Sequence, residues 1–366
     1  MKLVDGFKIC LVMLWSILLC PNVGWAVEVP IFYNHPTVYE RIDGGHVTIR
    51  QGSIERLNPN GTRDTIISGL DRPYGIALDD KGNLYYGDFK LNVLAFELFK
   101  RSPEGTITNL GQVLDIPAGT VSISSWGGDL ATNSSGDVFF NHPTVYERID
   151  GKYVMVRQGS LEKLSPNGTW STVVSGLDRP TGIALDVAGN VYFGDFKFDI
   201  LNFELFKLST DGKISSLGQV LNIPSGPISI GSWGGDLAVG PSGDIFYNHP
   251  TVYERLDSGY VTVRTGSIER LDPDGTHTTV VTGLDHPLGI ALDAAGNLYY
   301  GDYGGLRFEI FEWSPDGTIT NLGQVLDIPQ GPISINMWGG DLAVPEPSTL
   351  FLLALGSMAL LRKRRA

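Results

Sequence analysis

Cysteine is close to absent. The chain has two, Cys10 and Cys20, and both fall in the first 26 residues. From residue 27 onward neither disulfides nor thiol chemistry is available, so stability has to come from a packed core. About 318 residues, 27–344, are enough to build one. Basic residues are also in deficit, 27 Lys and Arg against 40 Asp and Glu, for a net charge of −13. Because both termini are basic, the segment between them carries −17. That excess disfavours nucleic acid and anionic membrane surfaces, and suits cations, neutral glycans or simple solubility. Gly-x-Ser-x-Gly, His-Glu-x-x-His and phosphate-loop patterns are missing, which removes the commonest hydrolase and nucleotide signatures. Few stretches have helical periodicity, whereas Gly (46) and Pro (21) are plentiful, which points to an all-β, turn-rich fold.

The two ends read as targeting segments. Lys2 and Lys8 precede the apolar run Ile9–Cys20, and Gly24-Trp25-Ala26 places small residues where signal peptidase requires them, so cleavage is expected after Ala26. At the other end Val344-Pro345-Glu346-Pro347-Ser348-Thr349 leads into an apolar stretch to Leu361, then Arg362-Lys363-Arg364-Arg365. As a helix, 348–361 would reach roughly 21 Å, short of the ~30 Å hydrocarbon core, with the basic cluster held on the cytoplasmic side. These parts, in this order, resemble the PEP-CTERM sorting signal. The resemblance implies recognition at Pro345, Glu346 and Pro347 by exosortase and transient anchoring in the inner membrane of a Gram-negative-type bacterium. Delivery to the cell surface or extracellular matrix follows.

Between the ends the sequence repeats. Asn-His-Pro-Thr-Val-Tyr-Glu-Arg begins at Asn34, Asn141 and Asn248, a spacing of 107. Units at about 31–137, 138–244 and 245–344 each contain two modules of four short strands separated by turn residues, the plan of a propeller blade. Three units of two modules predict a six-bladed β-propeller. The body opens on a second strand, Ile31-Phe32-Tyr33, and closes on an orphan first strand, Asp341–Val344. Pairing the two would close the ring and remove its exposed edges. Pro73-Tyr74-Gly75-Ile76-Ala77-Leu78-Asp79, continuing to Gly82-Asn83-Leu84-Tyr85-Tyr86-Gly87-Asp88 and recurring from Pro180 and Pro287, resembles an NHL-type repeat. Propellers of that type are similar to those of gluconolactonase and regucalcin-like enzymes, and the motif predicts fold rather than function.

Three recurring sets are expected on one face of the ring. The Trp-Gly-Gly-Asp loops supply Trp126, Trp233 and Trp338 with Asp129, Asp236 and Asp341. Those aspartates open inner strands, so three carboxylates are placed near the channel axis, a donor set suited to Ca²⁺ or another divalent cation. The second set is Asp88, Asp195 and Asp302. The third is a long insertion after Asn-His-Pro that reads as a hairpin bearing Tyr39, Glu40 and Arg41, then Tyr146, Glu147 and Arg148, then Tyr253, Glu254 and Arg255. Two readings stand for these hairpins. They form a clamp for a glycan, with aromatic stacking and Arg/Glu hydrogen bonds, or Glu and Arg pair while Tyr packs between blades. His35, His142 and His249 read as buried structural residues.

Function divides three ways. The first expectation is a non-catalytic binding or scaffold propeller associated with extracellular polysaccharide. The alternative is a metal-dependent lactonase-like hydrolase. The third is an accessory protein in secreted pigment or polymer assembly. In the lactonase-like family, acidic and amide side chains from different blades hold one metal, some of them just before the Gly of Pro-x-Gly. Here that position is Tyr74, Thr181 and Leu288, which departs from the pattern.

Overall fold

The computed structural model describes residues 29–43, 45–90, 95–115, 121–123, 129–150, 152–197, 202–222, 228–230, 235–257, 259–305, 307–327, 333–335 and 340–345. The expected signal peptide, 1–26, the sorting tail beyond Pro345 and the short helix expected there lie outside these residues. Among the described residues no helix is long and apolar enough to cross a membrane.

The Asx- and Ser-headed turns determine where strands begin and end. In Asp79–Asn83 the Asp79 carboxylate accepts from the amides of Lys81 and Asn83, at 3.0 and 2.8 Å, and from the side chains of Asn83 and Tyr85. Gly82 takes a left-handed conformation (φ 76°) that closes the turn. Asp186 and Asp293 do the same in the equivalent turns.

Six four-stranded antiparallel sheets result, each running from an inner strand at the axis to an outer strand at the rim. Blade 1 is Leu342–Ala343, Ile31–His35, Gly52–Leu57 and Arg63–Leu70. Blade 2 is Pro73–Leu78, Leu84–Lys90, Ala95–Arg101 and Ile107–Asp115. Blade 3 is Leu130–Thr132, Val138–His142, Gly159–Leu164 and Trp170–Leu177. Blade 4 is Pro180–Leu185, Val191–Lys197, Asn202–Leu208 and Ile214–Asn222. Blade 5 is Leu237–Val239, Ile245–His249, Gly266–Leu271 and His277–Leu284. Blade 6 is Pro287–Leu292, Leu298–Gly304, Arg307–Trp313 and Ile319–Asp327.

The ring closes as the sequence suggests. Phe32 pairs with Ala343 and Tyr33 with Leu342. The seam buries Ile31, Tyr33, Leu342 and Val344 against Ala291, Tyr299 and Phe308 of blade 6. Every inner strand carries an alanine: Ala77, Ala131, Ala184, Ala238, Ala291 and Ala343, each 7–8% exposed. Near the axis adjacent blades converge, and only a small side chain fits on that side of the strand. Farther out the same layers take Tyr, Phe and Leu, as where Ile54 and Ile67 of blade 1 meet Ile76, Leu84 and Tyr86 of blade 2.

The insertions after Asn-His-Pro fold into arms on blades 1, 3 and 5. Val38–Ile42 pairs with Gly45–Arg50, Val145–Ile149 with Lys152–Arg157, and Val252–Leu256 with Gly259–Arg264. Each hairpin gains a third strand that the sequence reading did not anticipate: Ile333–Ile335, Val121–Ile123 and Ile228–Ile230. Those segments are three residues long and lie in inter-blade loops, so their pairing depends on a partner distant in sequence. Arms and inner-strand starts share one face of the ring. The Asp-x-x-Gly-Asn and Ser-Pro-x-Gly turns occupy the other, and both Val29 and Pro345 leave from that turn face.

Candidate cation site on the ring axis

Asp129, Asp236 and Asp341 open the inner strands of blades 3, 5 and 1. One carboxylate oxygen from each lies within 4.8 Å of the others. The structure therefore brings together three residues whose successive spacings in sequence are 107 and 105. Each aspartate is held by the asparagine of its blade's Asn-His-Pro-Thr motif. Asn141 Oδ1 accepts the Asp129 amide at 3.0 Å, Asn248 Oδ1 the Asp236 amide at 2.9 Å, and Asn34 Oδ1 the Asp341 amide at 3.0 Å. The Gly235 and Gly340 amides donate to the same oxygens in blades 5 and 1. These asparagines are buried and position the cluster, a role the sequence reading did not assign them. The signal was present, since the Asn motif and the Gly-Gly-Asp loop recur together in every unit.

The carboxylates are restrained as well as gathered. Asp236 accepts from the Leu237 amide at 3.1 Å and, across the blade 5–blade 6 seam, from the Ile290 amide at 2.8 Å. Burial raises the pKa of all three aspartates; the Asp236 and Asp341 charges raise Asp129 further, and the Asp236 charge raises Asp341. Three carboxylates this close do not stay fully ionised without protons or a cation between them. Hard oxygen donors on a narrow axis fit a divalent cation whose remaining ligands are water. Between the six inner strands runs a cavity of about 120 Å³, lined among others by the six alanines. Its lining begins one residue inside the carboxylates, at Leu130, Leu237 and Leu342.

The other expected residues are placed differently. Asp88, Asp195 and Asp302 do not join the axial group. Asp88 is fully buried and accepts from the Asp71 and Arg72 amides, at 3.0 and 2.8 Å, with Lys90 paired to it. Asp195 repeats this with Asp178, Arg179 and Lys197, and Asp302 accepts from Asp285 and His286. They tie the inter-blade connection to the second strand.

His35, His142 and His249 are buried beneath the arms, and burial lowers their pKa to about 3, 4 and 3. Beside them Glu55 accepts from Tyr33 and Arg50, both at 3.0 Å. Arg157–Glu162 and Arg264–Glu269 repeat the ion pair at 4.0 Å. The last arginine of each arm is thus anchored to the blade below.

Tyr39, Tyr146 and Tyr253 are half-buried at the arm bases, as are Glu40, Glu147 and Glu254, whereas Arg148 and Arg255 are exposed. The Tyr253 ring sits 6.2 Å from that of His286. The Arg41 side chain and the tryptophans Trp126, Trp233 and Trp338 lie outside the described residues.

The fold and the C-terminal motif together define an all-β, six-bladed propeller attached directly to a sorting signal. Residues 343–365 match the PEP-CTERM protein-sorting motif, which implies export, sorting to the cell envelope and processing by exosortase. The motif begins within the ring-closing strand. In the body, the chain is 26% identical over 218 residues to pentonolactonase XacC of Haloferax volcanii, covering 55% of this chain and 65% of that protein, less than two thirds of its length. Among solved structures it is similar to TolB from Acinetobacter baumannii, at a TM-score of 0.53 and 12% identity over 87% of this chain and 67% of that one. It also aligns with a gluconolactonase from Xanthomonas campestris, at a TM-score of 0.45 and 16% identity over 69% and 76% of the two chains.

Proposed function

We propose that this protein is a non-catalytic scaffold of the cell envelope or its extracellular polysaccharide matrix, with one divalent cation, Ca²⁺ by ligand type, held on the ring axis by Asp129, Asp236 and Asp341. The observation that supports this reading is the equivalence of the three carboxylates: same motif, same strand position, same asparagine support. An axial ion bonded to three alternate blades cross-links the ring where its inner strands are shortest. A catalytic centre, by contrast, needs different groups in different roles.

A second reading is favoured by the likeness to pentonolactonase XacC. In it the same aspartates hold a cation that polarises a lactone carbonyl. Tyr74, Thr181 and Leu288, three unlike residues at equivalent positions, then supply the asymmetry that a substrate requires. Metal analysis of the purified protein, thermal melting with and without chelator, and assay against a panel of sugar lactones separate the two. The scaffold reading expects one metal per chain, a melting temperature that falls on chelation, and no turnover. Metal-dependent lactone hydrolysis abolished by Asp236→Asn would replace it with the second. A body without metal, and with a melting temperature indifferent to chelator, would sink both.

A further inference from the structure

The exposed large apolar side chains are unevenly placed. Twelve lie on the three arms: Ile42, Val47 and Ile49; Ile149, Tyr153, Val154, Met155 and Val156; Leu256, Tyr260, Val261 and Val263, at 43–64% exposure. Only four others, Ile107, Val187, Ile214 and Ile319, lie on the rest of the described surface. In Lys152–Arg157 all six residues are exposed, and Tyr153-Val154-Met155-Val156 is apolar without a break. Successive side chains of a strand point to opposite faces, so this strand presents apolar groups on both. A continuous apolar strand is the pattern of one buried on both sides. Here neither side is covered.

The outer strand of each arm, Gly45–Arg50, Lys152–Arg157 or Gly259–Arg264, is also the terminal strand of its three-stranded sheet, with one hydrogen-bonding edge unpaired among the described residues. Charge on these strands is confined to their ends, at Arg50, Lys152, Arg157 and Arg264, and none contains proline or a charge at its centre.

We infer that the arm face is an interface between two copies of this chain, docked crown to crown with the arms of one filling the gaps between the arms of the other. Three arms on alternate blades leave three gaps, so interdigitation covers both faces of every arm at once, which a flat partner does not do. The twelve apolar side chains, each about half exposed, form the apolar centre of a patch to which the polar arm residues add, and a standard stable interface takes ~800 Å² per partner. Charge favours this face as well. The arms (38–50, 145–157, 252–264) carry seven Lys and Arg against six Asp and Glu, while the body as a whole carries −17. Two copies therefore approach with least repulsion through their crowns.

Pairing is tied to sorting. The sorting tail leaves from the turn face, so copies anchored in one membrane all point their crowns away from it. Crown-to-crown docking needs opposed axes, and it becomes available once the tail is cut and the protein released.

The test is the oligomeric state of the full chain, expressed with its own signal and tail and purified in processed form. Sedimentation velocity is run from about 1 to about 100 μM, with hydrogen exchange on the same samples. The expected result is a monomer–dimer equilibrium, with 45–50, 152–157 and 259–264 protected at high concentration. Val47→Glu, Met155→Glu and Val261→Glu together should raise the dissociation constant at least ~100-fold with an unchanged melting temperature. Should the triple variant misfold, the wild-type concentration dependence and arm protection still decide. A wild type that stays monomeric at ~100 μM overturns the inference. So does a dimer whose arms exchange freely, or arm protection by polysaccharide fragments with no change in mass.

Discussion

Asp236 and Ile290 belong to different blades and are 54 residues apart, yet the Asp236 carboxylate accepts the Ile290 main-chain amide at 2.8 Å. The bond carries the axial carboxylate across a blade seam. It makes the central cluster part of what holds neighbouring blades in register.

That coupling predicts how the ring responds to pH and metal. The three aspartates have raised pKa values when folded, with Asp341 at about 7. The folded state therefore binds protons more tightly than the unfolded one. Its contribution to stability is fully present below the unfolded value near ~4, and is lost as pH rises through the folded values. In chelator, the melting temperature should fall between about pH 5 and 8. Saturating Ca²⁺ should remove most of that fall, and Asp129→Asn should flatten the profile while weakening the Ca²⁺ response.

The buried histidines act with the opposite sign. Their folded pKa values, about 3 to 4, lie below the unfolded ~6.5, so the stability they contribute is present above ~6.5 and is lost as pH falls toward 3 to 4. Each costs at most ~1.4 kcal/mol per pH unit in that window. Acid unfolding of the wild type should therefore steepen below about pH 6. His142→Gln should make the profile shallower, read by circular dichroism against pH.

Ring closure rests on few residues. Asn34→Ala removes the acceptor of the Gly340 and Asp341 amides and leaves them unpaired at a buried site, a loss of about 2–4 kcal/mol for two such groups. Deleting 340–344 should cost more, because it strips the inner strand from blade 1 and opens the seam with blade 6. An unchanged melting temperature in the deletion would mean the ring does not depend on this strand.

The sorting motif starts at residue 343, where Ala343 and Val344 are buried and Pro345 is half-buried, so no spacer separates the fold from the signal. Replacing Pro345-Glu346-Pro347 with alanines should leave the protein in the inner membrane with Arg362–Arg365 attached, seen by fractionation and intact-mass measurement. Normal maturation of that variant would remove the motif from the sorting step.

Gly194 packs under the Phe203 ring with no space for a methyl group, and Gly87 and Gly301 repeat this with Phe96 and Phe308. Gly194→Ala should destabilise by about 1–3 kcal/mol through forced displacement of that ring, measured by urea unfolding. The backbone φ there is ordinary, so the cost isolates packing from conformational strain.

The propeller, the blade count, the closing strand and the C-terminal sorting motif were all legible in the sequence. All of these depend on local information: turn residues, period-two alternation, repeat spacing and motif order. Only the tertiary structure decided which repeated polar residues meet. Asp88 and Asp129 are both conspicuous aspartates at strand ends, yet one is buried on loop amides and the other faces the axis beside Asp236 and Asp341. Their difference is one of distance across the ring, set by six blades closing around an alanine-lined centre, and no window along the chain contains it. The same holds for the third strand of each arm. Ile333–Ile335 has no local signal for pairing, and it pairs with Val38–Glu40 because ring closure brings the last unit beside the first. The apolar character of the arms was legible residue by residue. That it stays uncovered follows from where the arms stand on the folded ring.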